Sequence, residues 1–194
     1  MFTYIYAGIG SRQTPDVVLQ VMSYIGKVLS THGFTLRSGG ADGADSAFAQ
    51  DVPVELQEIY IPWKNFNKVV NGIVDGNVND AEKIVKYIHP AWERCSIGAR
   101  KLHSRNVFQI LGPEPINNPI LVEFVCCYTK DGVVQGGTAT AINLAKQHNK
   151  PVFNFGDYEH VISSYDPQHP DSTKIFLITK FAIWLLTTFN IELH

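Results

Sequence analysis

The sequence predicts an α/β protein: a doubly wound, mainly parallel sheet with helices on both faces. Three observations carry that reading. Short apolar, β-branched runs alternate with segments of helical periodicity along the chain. The polar and glycine-rich stretches fall directly after these strands, at 8–14, 38–45, 62–66 and 129–140, so four loops converge on one sheet edge. The composition, 45% hydrophobic and 18% charged over 194 residues, suits a single domain with a sizeable core.

The elements follow in order. Residues 2–7, FTYIYA, read as a buried strand. After a glycine turn, Val17, Val18, Val21, Ile25, Val28 and Leu29 recur at helical spacing, with Pro15 at the start and Gly33 at the stop. FTLRS (34–38) is a second strand, and GGADGADSAFAQ turns into a second helix. A third strand runs through ELQEIYIPW and ends at Pro62. Residues 64–79 read as a loop with a short element. Helices are predicted over 80–90, stopped by Pro90, and over 96–112, closed by Gly112. A continuous apolar strand at 119–129 precedes a glycine-started helix at 136–150, a strand at 151–155 and a closing helix at 174–189.

Composition also bounds the function. The net charge of −2 and a pI of about 6.4 argue against nucleic acid as a partner, since a groove gripping a phosphate backbone usually shows a basic excess. Three cysteines, two of them adjacent, suggest no disulfide framework. The apolar run at the N-terminus is too short for a signal peptide, and IFLITKFAIWLL carries Lys180 and is too short to span a bilayer. The reading is a cytoplasmic protein with no membrane partner. Residues 1–194 form one domain, with 158–194 as a helical extension that packs on the sheet or makes a dimer contact, since FAIWLL is a large apolar surface to cover; a homo-oligomer is the expectation.

The loops point to phosphate. Glycines let backbone amides approach an anion, and a helix N-terminus adds donors and the positive end of its dipole. Gly8, Gly10, Ser11, Arg12 and Thr14 stand at the mouth of the first helix; Arg37, Ser38, Gly39 and Gly40 at the second; Gly136, Gly137, Thr138 and Thr140 at the later one. The hydroxyls add donors and the arginines forked, charge-assisted contacts. Asp42 and Asp45 would repel phosphate, so they suit a helix cap or ribose hydroxyls. Trp63, after Pro62, suits either stacking on a base or burial in a core. GIGSRQ is not G-x-G-x-x-G, because Gln13 takes the last glycine position, and there is no Walker A lysine.

His89, Cys95 and His103 are scattered, without the ligand spacing of a structural metal, and Cys126 and Cys127 point to opposite faces of a strand. No metal and no cofactor is assigned. No G-x-S-x-G nucleophile elbow is present.

Together YAGIGSRQTP, LRSGGADGADSAF, IYIPW, HSRNVFQILG and GGTATAINLAKQHNKPVFNF resemble the SLOG superfamily, over residues 4 to about 155. The branch most resembled is the DprA/Smf-related one that many bacteriophages encode. The resemblance implies a Rossmann-like fold and a nucleotide-like ligand, and it adds Pro62, Arg105 and Asn106 to the site. It also implies a role for a phage protein in the host cytoplasm, capturing an immune nucleotide such as a cyclic ADP-ribose derivative. Two alternatives come with it: a phosphoribohydrolase of the lonely-guy type, and a DprA-like mediator on single-stranded DNA. The hydrolases carry P-G-G-x-G-T-x-x-E; here Gln135, Ala139 and Asn143 replace the proline, the third glycine and the glutamate. An amide cannot serve as a carboxylate general base. Binding without turnover is therefore the expectation, with Asp42, Asp45 and Glu123 as substitute carboxylates and no catalytic residue assigned.

Overall fold

A computed structural model describes residues 4–193. Phe2 and Thr3, the expected start of the first strand, lie outside the described residues. The five strands are β1 (Tyr4–Gly10), β2 (Phe34–Ser38), β3 (Gln57–Ile59), β4 (Phe124–Tyr128) and β5 (Val152–Asn154). They form one sheet in the order β3-β2-β1-β4-β5, and every pairing is parallel. This is the doubly wound, Rossmann-like α/β architecture that the alternation predicts. β2 and β4 are buried along their whole length, and β1 over its centre, because helices cover both faces of the sheet.

One layer holds α1 (Asp16–Thr31), α2 (Ala44–Ala49) and the closing helix α7 (Pro170–Phe189), packed around Tyr6, Met22, Phe48, Phe124 and Phe181. The other holds α3 (Val78–Ile88), α4 (Ile97–Leu111) and α5 (Ala139–Gln147), around Val85, Val107, Ile110, Val125 and Ile142. A single short turn, α6 (Glu159–Ile162), precedes α7. Local chemistry sets the helix ends. The Asn77 side chain accepts from the Asp80 amide at 3.2 Å and starts α3; Ser96 does the same for Ala99 at 3.2 Å and starts α4. Gly112, at φ 77°, stops α4.

The third strand is shorter than the sequence suggests. Beyond Ile59 only an isolated bridge, Tyr60 to Ile73, continues it. The closing helix is longer: α7 has 20 residues, about 30 Å, and is long and apolar enough to cross a membrane by length and composition. The expectation that this stretch is too short is corrected. Its Thr173, Leu177, Phe181 and Leu185 recur every four residues and are buried in the core.

The order of strands fixes where a ligand can sit. From β1 the chain winds out to β2 and β3, then returns to lay β4 on the other side of β1. Loops leaving β1 and β4 diverge there and leave a crevice at the carboxyl ends of the strands. Gly10 and Tyr128 are register partners at its floor.

Candidate functional site

The crevice is a cavity of about 700 Å³. Gly10, Ser11, Arg12 and Gln13 line it from the β1 loop, Ala41 and Asp45 from the start of α2, and Thr129 and Lys130 from the β4 loop. Gln135, Gly136, Gly137 and Thr138 close it at the start of α5. α4 supplies the remaining wall: Ala99, Leu102, His103, Asn106 and Gln109 share one helical face, with Arg105 beside them.

Arg105 and Asp45 sit at the centre, with side chains only 7% and 4% exposed and an Nη1 to Oδ2 distance of 3.1 Å. Gln109, oriented to satisfy its partners, accepts from Arg105 Nη1 and from the Gly39 amide, each at 3.0 Å. Its own amide donates to Asn106 Oδ1 at 3.1 Å, and Asn106 Nδ2 donates to the Gly137 carbonyl at 2.7 Å. One polar chain thus ties α2, α4 and the α5 turn together. Burial pushes the Asp45 carboxyl up against the pull of Arg105, and burial pushes Arg105 down, with the like charge of Arg12 adding to it. The lining carries three cations, Arg12, Arg105 and Lys130, against the one carboxylate Asp45. A chain of net charge −2 therefore holds a positive cavity.

The β4 loop is anchored from beneath. Asn154 accepts from the Thr129 amide at 3.0 Å and donates to Thr129 Oγ1 at 2.7 Å, which fixes the backbone next to Lys130.

Of the residues singled out in the sequence, the structure brings Gly10, Ser11, Arg12, Asp45, Arg105, Asn106, Gly136, Gly137 and Thr138 together around this cavity. The others lie elsewhere. Gly8 is buried in the sheet, where a Cβ would stand 2.7 Å from Leu36 and Phe48, so the glycine serves packing. Thr14 is buried and donates to the Ser11 carbonyl at 2.7 Å. Arg37 is 1% exposed; its Nε donates to Glu58 and its Nη1 to the Ile120 carbonyl, both at 2.7 Å. The arginine is buried because β2 is covered on both faces, and its partner Glu58 is part-exposed. Ser38 donates to the Gly8 carbonyl at 2.6 Å. Gly39 makes room for Arg105, and Gly40 packs near Val69 and Ile59. Asp42 is exposed outside the cavity. Pro62 and Trp63 follow β3, and Trp63 packs edge-on to Phe66 at 5.3 Å, away from the crevice. Thr140 is buried behind the wall, 2.8 Å from His103 Nδ1.

The expected amide cradle is partly closed. The Ser11 amide donates to the Tyr128 carbonyl at 3.0 Å, the Gln13 amide to Ser11 Oγ at 3.0 Å, and the Ala41 amide to Asp45 at 3.3 Å. These turns spend donors on the protein itself. The α5 start differs: Gly136 and Gly137 are exposed, and Thr138 makes no side-chain cap bond.

Sequence reasoning missed Lys130, His103 and Gln109. The α4 residues carry a signal, the i, i+3, i+4, i+7 spacing of Ala99, Leu102, His103 and Asn106; Lys130 carries none beyond following a strand. Of the candidate substitute carboxylates, Asp45 alone lines the cavity. Glu123 starts at the opposite edge of the sheet, 3.6 Å from Lys150, and Asn143 is exposed on α5 outside the crevice. His89, Cys95 and His103 are not scattered: one ligand atom of each lies within 4.8 Å of the others.

No family model matches the chain, and no curated protein matches it. One solved structure is similar, DNA processing protein A from Helicobacter pylori, at 18% identity and a TM-score of 0.51. The match covers 78% of this chain and 64% of that one, so this chain spans less than two thirds of its length. The likeness is one of fold. It agrees with the DprA-type fold that the motifs imply. That protein is described by its single-stranded DNA binding mode. The expectation that nucleic acid is an unlikely partner is corrected on that finding, since the similar structure belongs to a protein that binds single-stranded DNA.

Proposed function

We propose that the cavity binds the phosphate-bearing backbone of single-stranded DNA, with the chain acting as a DprA-like, SLOG-type nucleic-acid-binding domain. The single observation that carries this reading is the placement of Arg12, Arg105 and Lys130 around the uncapped start of α5 at the β1/β4 crevice. Arg12 and Lys130 are exposed and meet the phosphate, while Arg105 is held beneath them in its pair with Asp45. The likeness of fold to a single-stranded DNA-binding protein supports the choice of polymer.

A second reading has its own support. A volume of about 700 Å³ is that of a small-molecule site, and a free nucleotide of the ADP-ribose kind fits the same donors. Capture of an immune nucleotide would be one form of it, resting on the resemblance alone. Calorimetric titration with oligothymidylates of increasing length, alongside ADP-ribose, tests the proposal. Affinity that rises with length and exceeds that for ADP-ribose supports DNA. Tighter binding of ADP-ribose, with no gain in affinity as the oligothymidylate lengthens, overturns it.

A further inference from the structure

His89 caps the end of α3, Cys95 follows the short helical turn Trp92–Arg94, and His103 lies within α4. Folding gathers them so that one ligand atom of each stands within 4.8 Å of the other two, and all three are half-buried. Two imidazoles and a thiol form the donor set that zinc prefers, and three protein ligands leave a fourth position open. In a tetrahedral zinc site the ligand atoms stand roughly 3.3–3.6 Å apart, so an ion would draw these side chains in by about 1 Å.

The orientation of His103 fits that role. Its Nδ1 is 2.8 Å from Thr140 Oγ1. With the proton on Nδ1 and donated to the threonine, the lone pair is on Nε2, the arrangement in which a ligating histidine is usually held by its neighbour. The two imidazoles lie 4.4 Å apart by ring centroids and are tilted by 60°. His89 Nδ1 accepts from the Ala91 amide at 3.2 Å, and Cys95 Sγ lies 3.5 Å from the Ala91 carbonyl. Binding through either nitrogen of His89 ends the first contact, and ionisation of the thiol ends the second.

We propose that His89, Cys95 and His103 bind one zinc ion per chain, with a water or a ligand oxygen in the fourth position. His103 also lines the crevice, so the ion would stand beside the cavity wall. The site does not depend on the nucleic-acid reading.

Cobalt titration of the chelator-stripped full chain tests it. One Co²⁺ per chain is expected to bind with a thiolate-to-metal charge-transfer band, and Zn²⁺ to bleach it stoichiometrically. Because Cys126 and Cys127 are buried in β4, the band reports Cys95. Cys95→Ser should abolish the band, and His89→Gln should weaken binding by more than about 100-fold, with far-ultraviolet circular dichroism unchanged. Thr140→Val should keep the band and lower affinity by about 10–100-fold, which a purely structural threonine would not do. Absence of the band at one equivalent, or a band that survives Cys95→Ser, overturns the proposal.

Discussion

Gly39 and Arg105 compete for one space: a Cβ on residue 39 would stand 1.1 Å from Arg105 Nη1. The glycine after β2 is what lets the guanidinium pass from α4 to Asp45. Gly39→Ala should therefore expel Arg105 and leave Asp45 buried without its partner, at a cost of about 3–5 kcal/mol. Urea unfolding of the variant measures it; a loss below about 0.5 kcal/mol would show that the pair forms without that passage.

The two arginines that look equivalent in the sequence should behave differently. Arg37 is buried against Glu58, whose own side chain is 33% exposed and can hydrate when left alone. Arg37→Ala should cost about 3 kcal/mol of stability, near the low end for breaking a buried pair. Arg12 is exposed at the cavity, and Arg12→Ala should change stability by no more than about 0.5 kcal/mol. Parallel urea curves distinguish them, and equal losses would contradict the burial of Arg37.

Acid should favour the wild type over Asp45→Asn. Burial raises the Asp45 carboxyl above its ordinary value, with Arg105 pulling the other way. A raised carboxyl binds its proton more tightly folded than unfolded. Its contribution to stability is complete below the unfolded pKa of about 3.9 and is lost as pH rises through the folded value. The stability difference between the wild type and Asp45→Asn should thus shift toward the wild type as pH falls from about 7 to about 4. A difference that stays flat would mean that Arg105 balances burial, and one that shifts the other way that it outweighs burial.

The closing helix should be divided by face. Phe181 is fully buried against Phe124 and Phe153, whereas Ile183 is 51% exposed. Phe181→Ala should cost about 3–5 kcal/mol and Ile183→Ser less than about 0.5 kcal/mol. Thermal unfolding of both variants checks it, and similar losses would place the helix differently on the sheet.

The order of strands and helices is legible in the sequence because period and punctuation agree from Tyr4 to Asn154. β3 is overestimated because Tyr60 and Ile61 are apolar and buried without belonging to a ladder. The site is legible at its glycine turns, whose spacing after strands is a local signal. Arg37 misleads because a buried ion pair and a ligand arginine share one residue type, and only the layer above β2 separates them. His89, Cys95 and His103 meet through the packing of α3 on α4, which no linear spacing encodes. Lys130 gains its place from the Asn154 bonds beneath Thr129, again a contact between distant segments.

The central claim, that the crevice holds the phosphates of a single strand, is tested most directly by the salt dependence of oligothymidylate binding in wild type, Arg12→Ala and Lys130→Ala. Fluorescence anisotropy across a range of salt gives the slope of log affinity against log salt. The account predicts that each substitution weakens binding and reduces the slope by about 0.7, one phosphate contact on a single strand. Wild-type affinity and slope in both variants would contradict it.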